Sequence, residues 1–512
     1  MIYATLFRVT LPETALEIAA LLVLVVDLGF LRKAALQTRV MSAVLLGVLG
    51  CGAAVMAMPL QALGGLTYPE STDLLLASGG YTAIAQMGIL GLTILTLFLL
   101  IGSDFTRHVG EYVAVVLMAA TGGLLIAAAQ DLLVIFVGLE LLSLGLYILT
   151  AFAKKSGKSA EAAMKYYLFG AMSAAFLLFG FSYLYGLTGS TNLHEIMRAF
   201  YSSNVIHSSP LVYVALVMIA AGLGFKVAAV PFHLWAPDTY EGAPAPAAAF
   251  IASVSKVASF ALLIGIGTAA AHVFGNLHAG IVTLYSGPAP RWIGFPGPWS
   301  LIVALMAVAS MVFGNLAALA QTSVRRLLAY SAIAHAGYIL LGLAFFSYSS
   351  QSAQAILYYI LTYGLTTIGA FGAVAVVERV AGSDRMDAFL GLSKRNGLLA
   401  AVLLVLFLSL AGIPPLVGFW AKFNLFAAVL RVYPAGLGIG LVALAVGMSA
   451  VSLYYYLQVL KRVFVMPAVD DTPIKANTVT MSVLVFIALA VVVLGCLPGL
   501  VQNWMGTYYA GM

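Results

Sequence analysis

Residues 226–260, KVAAVPFHLWAPDTYEGAPAPAAAFIASVSKVASF, decide what kind of molecule this is. Lys226 and Lys256 stand inside runs that are otherwise apolar, and Pro231 interrupts the first run five residues after its lysine. Proline inside a helix removes a backbone bond and clashes with the preceding turn. In hydrocarbon, the freed carbonyls are tolerated only where protein or water satisfies them. The stretch therefore predicts a membrane helix broken beside a buried cation, and paired broken helices point to a transporter's working site. The pattern recurs at 410–423, LAGIPPLVGFWAKF, where Pro414 and Pro415 precede Lys422.

Composition extends this reading to the whole chain. Of 512 residues, 63% are hydrophobic and 8% charged, whereas charged residues alone make up about 25% of a soluble domain. Apolar runs of about 20 residues follow one another at 11–31, 40–60, 81–102, 111–129, 132–153, 162–187, 211–235, 245–272, 299–320, 326–347, 354–378, 397–430, 436–460 and 478–498. No polar domain separates them, so the fold class is an all-α polytopic membrane protein with about 14 transmembrane helices, the seventh and twelfth broken. Residues 1–29 carry Arg8, Glu13 and Glu17 and no small-residue cleavage site, which reads as a span and not a removable signal. Cys51 and Cys496 lie far apart in apolar segments, so neither a disulfide framework nor a CxxC metal site is expected.

The basic residues fix an orientation. Odd-numbered connections hold 16 of them: Arg32, Lys33, Arg39, Arg107, Lys154, Lys155, Lys158, Arg325, Arg326, Arg379, Arg385, Lys394, Arg395, Lys461, Arg462 and Lys475. Even-numbered connections hold 3: Arg198, Arg291 and Arg431. Basic residues stay in the cytoplasm, which puts both termini on the other side. The net charge of +6 is thus an orientation signal, and no nucleic-acid partner is needed.

Four lysines do not fit that accounting: Lys165, Lys226, Lys256 and Lys422 lie within spans, joined by Glu140 in VGLELLSLG. A charge at mid-bilayer costs roughly 2.5–3.5 kcal/mol, so five left unpaired would cost on the order of 15 kcal/mol. Such groups face the interior and do something apolar residues cannot. Lys165 has an ordinary explanation, since it follows Glu161 at i,i+4 near its helix end and can snorkel. Asp131 opens the fifth span as a helix N-cap. Burial favours the neutral form of lysine and glutamate, while proximity favours the charged pair. A lysine whose carboxylate moves away can release its proton and reload when the partner returns; Glu140 and Lys226 are the expected pair.

The two breaks lie five spans apart, so the broken helices run in opposite directions. Two inverted five-helix repeats follow, spans 4–8 and 9–13. The expected division is 1–110, a three-helix segment; 111–272, the first repeat; 299–460, the second; and 478–512, a C-terminal helix. His233, seven residues after Lys226, is expected on the same helical face. His335 occupies the middle of the tenth span, and both are read as proton relays.

The 226–260 run resembles the antiporter-like subunits of proton-pumping NADH:quinone oxidoreductase (complex I) and of Mrp-type cation/proton antiporters. APDTYEGAP at 236–244 and KYYLFGAMSAAFLLFGFSYLYGLTGSTNL at 165–193 resemble the subunit N branch more closely. The likeness runs from LPE at 11–13 to the fourteenth span, and fourteen spans and Lys422 in the twelfth also suit that branch. It implies that Glu140, Lys226, Lys256 and Lys422 carry protons, with Lys165 an extra sixth-helix lysine. It further implies a place in the bacterial inner membrane beside the other complex I subunits, with FMN, iron–sulfur clusters and the quinone site in those partners and no cofactor here. The loop 286–298 has no counterpart in the resemblance. An Mrp-type sodium or potassium/proton antiporter subunit is the alternative, although cation sites prefer several oxygen ligands and Glu140 is the one deep carboxylate. A hydrogenase-type membrane subunit differs only by family, and a scaffold or receptor gives no reason to bury lysines.

Overall fold

The computed structural model describes residues 7–62, 75–77, 79–202, 209–282, 298–346, 350–432, 436–468 and 472–510. Arg291 and all but the last residue of the 286–298 loop lie outside these. Helices follow in the order α1 (Leu11–Val25), α2 (Leu36–Ala62), α3 (Gly80–Leu100), α4 (Val109–Ala128), α5 (Leu132–Thr150), α6 (Gly157–Thr188), α7 (Leu193–Ser202), α8 (Pro210–Val227), α9 (Trp235–Gly242) and α10 (Ala245–Ala252). They continue as α11 (Val254–Val282), α12 (Pro298–Leu319), α13 (Val324–Ala344), α14 (Ser350–Ala381), α15 (Leu392–Arg395), α16 (Gly397–Ala411), α17 (Val417–Val432), α18 (Leu437–Phe464), α19 (Thr478–Cys496) and α20 (Gly499–Ala510). Among the described residues 12 helices are long and apolar enough to cross a membrane. The remaining two expected spans are present in divided form. α1 passes into a π-helical turn, Val26–Phe30, and the twelfth span is α16 and α17 with a gap between them.

Helix ends follow local chemistry. The Asp131 side chain accepts from Leu133 N at 2.8 Å, as its N-cap reading expects, and Asn396 accepts from Leu399 N at 3.0 Å. Gly189 and Gly412 end α6 and α16 with φ of 73° and 87°, the left-handed conformation glycine adopts at no steric cost. Buried acids tie the N-terminal helices together. Gln86 of α3 donates to Glu13 of α1 and to Leu124 O of α4, both at 3.3 Å. Asp27 accepts from Arg39 at 2.6 Å and from Gly110 N at 3.2 Å.

An internal repeat is visible in the contacts themselves. Asp131 and Ser323 cap α5 and α13 and lie 192 residues apart (323 − 131). A Cβ on Gly122 would fall 2.5 Å from Leu142 N; a Cβ on Gly314 would fall 2.7 Å from Ala334 N, the same pair of positions 192 residues on. Thus α4 packs on α5 as α12 packs on α13. The chain also returns to the same place twice. Leu132 N bonds Thr191 O and Leu193 N bonds Gln130 O; Val324 N bonds Asp384 O and Met386 N bonds Thr322 O, all at 2.9 Å. Five spans separate the two sets, so they run oppositely across the bundle. α11 and α13 are the most enclosed helices, while α6, α18 and α19 form outer flanks.

Both proline breaks are present, and a third appears. α8 ends at Val227, with Ala228 at φ 58°, and the chain crosses 228–234 before α9. The eighth span, expected to be continuous, is interrupted at Ser253 between α10 and α11. Ser253 Oγ donates to Ala249 O at 2.6 Å. Such back-bonding competes with the helix ladder and bends helices.

Candidate functional site

Each deep lysine sits beside one of these interruptions. Lys226 occupies the last turn of α8, Lys256 lies three residues past Ser253, and Lys422 lies one turn into α17. Lys226 Nζ donates to Ser143 Oγ at 2.5 Å and stands 3.8 Å from Glu140 Oε1. Glu140 and Ser143 share a face of α5. Lys226 is buried, whereas the Glu140 side chain is 30% exposed.

Farther in, Lys256 Nζ donates to Ala332 O of α13 at 2.6 Å and lies 6.0 Å from the Tyr363 ring centroid. His335, one turn past Ala332, has Nδ1 2.9 Å from Tyr359 Oη and its ring 4.8 Å from that of Tyr363. Beside it, a cavity lined by Tyr359, Thr362, Thr366, Ser409 and Gly418 leaves about 10 Å³, roughly the room one water needs. Lys422 Nζ donates to Leu410 O, Ala411 O and Ser449 Oγ at 3.1, 3.0 and 2.8 Å, 5.3 Å from the Tyr338 ring centroid. Those carbonyls end α16; the last carbonyls of a helix lack intrahelical partners and favour a cation.

Glu140 and Lys226 thus form one group, while Lys256 and Lys422 both adjoin α13, at Ala332 and at Tyr338, with His335 between those two positions in the helix. Each lysine is held by hydroxyl or carbonyl oxygens, and among the described residues only Lys226 of the three has a carboxylate within 4 Å. Neutral acceptors satisfy a buried ammonium without the Coulomb attraction of a full counter-ion.

The structure places two other sequence-chosen residues apart from these groups. Lys165 is part-exposed, 2.7 Å from Glu161 and 2.8 Å from Asp238, at the end of the bundle that carries the odd-numbered connections. His233 does not share a helical face with Lys226, because the helix stops at Val227 and seven-residue spacing loses its meaning beyond it. Its ring packs edge-on against Phe313 of α12 at 4.9 Å, and its buried Nδ1 makes no hydrogen bond.

Charges that sequence reasoning had treated as orientation signals form a second polar layer at that same basic face. Arg325, 4% exposed, donates from Nε to Tyr240 O at 2.9 Å, from Nη2 to Ala243 O, and from Nη1 to Glu378 at 3.2 Å. Arg326 reaches Asp238 at 2.7 Å and Glu241 at 3.0 Å. Burial raises the Asp238 carboxyl, but hydrogen bonds from Lys165 and Arg326 outweigh it and hold the group below its ordinary value. Both arginines open α13, and of these five partners all but Glu378 belong to α9 or its end. They clamp the half-helix beyond the Lys226 break to the opposite repeat. The available signal was the pair of acids in WAPDTYEG, eight residues beside a break. A cavity of about 320 Å³ opens here, lined among others by Glu241, Pro244, Arg325, Glu378 and Asp384.

Residues 129–287 and 290–451 match the family model described as NADH:quinone oxidoreductase/Mrp antiporter, TM. The chain is 47% identical to NADH-quinone oxidoreductase subunit N 2 of Acidobacterium capsulatum over 98% of this chain and 99% of that one. It is similar to a chain of the respiratory complex I of Thermus thermophilus, with a TM-score of 0.75 and 32% identity over 96% of this chain and 98% of that one. A chain of the Mrp complex of a Dietzia species shares the fold, with a TM-score of 0.75, at 21% identity over 98% of this chain and 97% of that one.

Proposed function

Because this chain belongs to the NADH:quinone oxidoreductase/Mrp antiporter transmembrane family, we propose that its lysine row is the proton path of an antiporter-like subunit of the subunit N kind. It is a proton-translocating membrane subunit of an NADH-quinone oxidoreductase, and its partners are the other subunits of that complex. The enzyme is the complex. We assign FMN, the iron–sulfur clusters and the quinone site to partner chains, and to this chain the transfer of protons driven from them.

In this reading Glu140 and Lys226 form the distance-controlled pair, Lys256 and His335 the connecting groups, and Lys422 the terminus. The basic face is cytoplasmic in a bacterial inner membrane, with both chain ends on the far side. The cavity beside Glu378 and Arg325 is where protons reach the row. The repeats extend over 111–272 and 299–460, flanked by 1–110 and 478–512. The observation that carries the reading is the placing of three buried lysines at three helix interruptions, each bonded to neutral oxygens. Charges this costly to bury are not there to hold helices together, since apolar packing would do so at less cost. The Mrp likeness supports a shared fold.

Purification in mild detergent tests the reading. The chain is expected to come with the other oxidoreductase subunits, and NADH oxidation by the complex in sealed vesicles is expected to acidify one side. Recovery as a lone monomer that exchanges sodium for protons would overturn it in favour of the antiporter alternative.

A further inference from the structure

Ser143 lies 192 residues before His335 (335 − 143), the interval that also relates Asp131 to Ser323 and Gly122 to Gly314. It thus occupies in the first repeat the place that His335 occupies in the second. Glu140 likewise corresponds to Ala332 (332 − 140), whose carbonyl accepts from Lys256 at 2.6 Å. The position that carries a carboxylate in the first repeat is thus an alanine in the second, and its carbonyl holds Lys256 of the first repeat.

Ser143 is buried, and its Oγ donates to Leu139 O at 2.5 Å. Its single proton is thereby committed, so toward Lys226 the hydroxyl offers a lone pair only. Lys226 takes it at 2.5 Å while Glu140 Oε1 stands at 3.8 Å, outside hydrogen-bond range. In this structure the ammonium is docked on the serine, with the carboxylate within a short swing of the lysine's flexible stem.

We propose that Ser143 is a positioning residue for proton transfer: it is the second docking point of the Lys226 ammonium, occupied when the pair with Glu140 opens. Without it, the buried lysine leaving Glu140 would lose the acceptor that holds it at 2.5 Å, so the open state would become rarer and the lysine would stay with its carboxylate. The inference rests on the proton-path reading above and adds a residue to it.

The test uses the intact complex in sealed vesicles, with assembly checked for each variant, and reads proton translocation during NADH oxidation. Ser143→Ala is expected to slow translocation roughly tenfold, the scale of one hydrogen bond to a charged group, and Ser143→Thr, which keeps the hydroxyl, to restore most of it. In a Glu140→Gln background, where no ion pair competes for the lysine, Ser143→Ala is expected to cost under about twofold. Wild-type translocation in Ser143→Ala, or an equal loss in both backgrounds, would overturn the proposal. Loss of assembly in Ser143→Ala shifts the comparison to Ser143→Cys, with the same two outcomes. Lys226→Ala run alongside separates the failures: if it too translocates normally, the proton-path reading is what falls.

Discussion

Replacing Arg325 by alanine removes a side chain that bonds two carbonyls at the end of α9, those of Tyr240 and Ala243. Each is a hydrogen bond from a charged donor, worth about 1.5–3 kcal/mol, so the pair holds α9 by about 3–6 kcal/mol. The Glu378 contact adds little, because that carboxylate is 34% exposed and such pairs contribute up to about 1 kcal/mol. At about 1.4 kcal/mol per tenfold, local opening of 235–242 should rise roughly a hundredfold to ten-thousandfold. Amide hydrogen exchange reports such local opening directly. Protection of 235–242 is expected to fall by that factor in Arg325→Ala, while that of α4 and α5 holds. Arg325→Lys should behave nearly as badly, since a single ammonium cannot reproduce the guanidinium fork. Arg326→Ala, at a part-exposed site, should cost about 1 kcal/mol or less. Protection of α9 in Arg325→Ala within tenfold of wild type would refute the clamp and return Arg325 to the role of an orienting charge.

Lys226→Ala should abolish most proton translocation by the complex, and Lys226→Arg should do so too, because a guanidinium holds its charge without releasing a proton; vesicle acidification during NADH oxidation measures both. Lys165→Ala should leave translocation near wild type in the same assay, since the lysine sits part-exposed in a surface network and outside the row. Asp238, held below its ordinary value in the fold, contributes stability that is fully present above the unfolded value of about 3.9 and lost as pH falls through the depressed one. Exchange protection of α9 in the purified complex should therefore be insensitive to pH between about 5 and 8 and decline below about pH 4.

The spans, their number and the two proline breaks were legible in the sequence because hydrocarbon imposes strong rules on length, charge and backbone bonding. Deep lysines stood out for the same reason; the structure sets Lys226 3.8 Å from Glu140 and sets Lys256 and Lys422 against α13, which carries His335. Ser253 was silent: no proline marks it, and a serine in a membrane helix is compatible with an unbroken ladder. Arg325 was hidden by its neighbourhood, since an arginine at a span boundary has an ordinary explanation and nothing local reveals that a half-helix from the other repeat lies across it. His233 was misplaced by extending helical periodicity through a break already recognised at Pro231. Ser143 carried no signal of its own, and only the 192-residue register gives it a counterpart.

α13 meets the basic face through Arg325 and the lysine row through the Ala332 carbonyl and His335. Ten residues separate Arg325 from His335, about 15 Å along the helix at 1.5 Å per residue. On a lever arm of that length, a tilt of about 4° displaces one end by about 1 Å, enough to break a hydrogen bond. Movement at the mouth and realignment at the centre are then a single mechanical event, felt simultaneously by groups from both repeats.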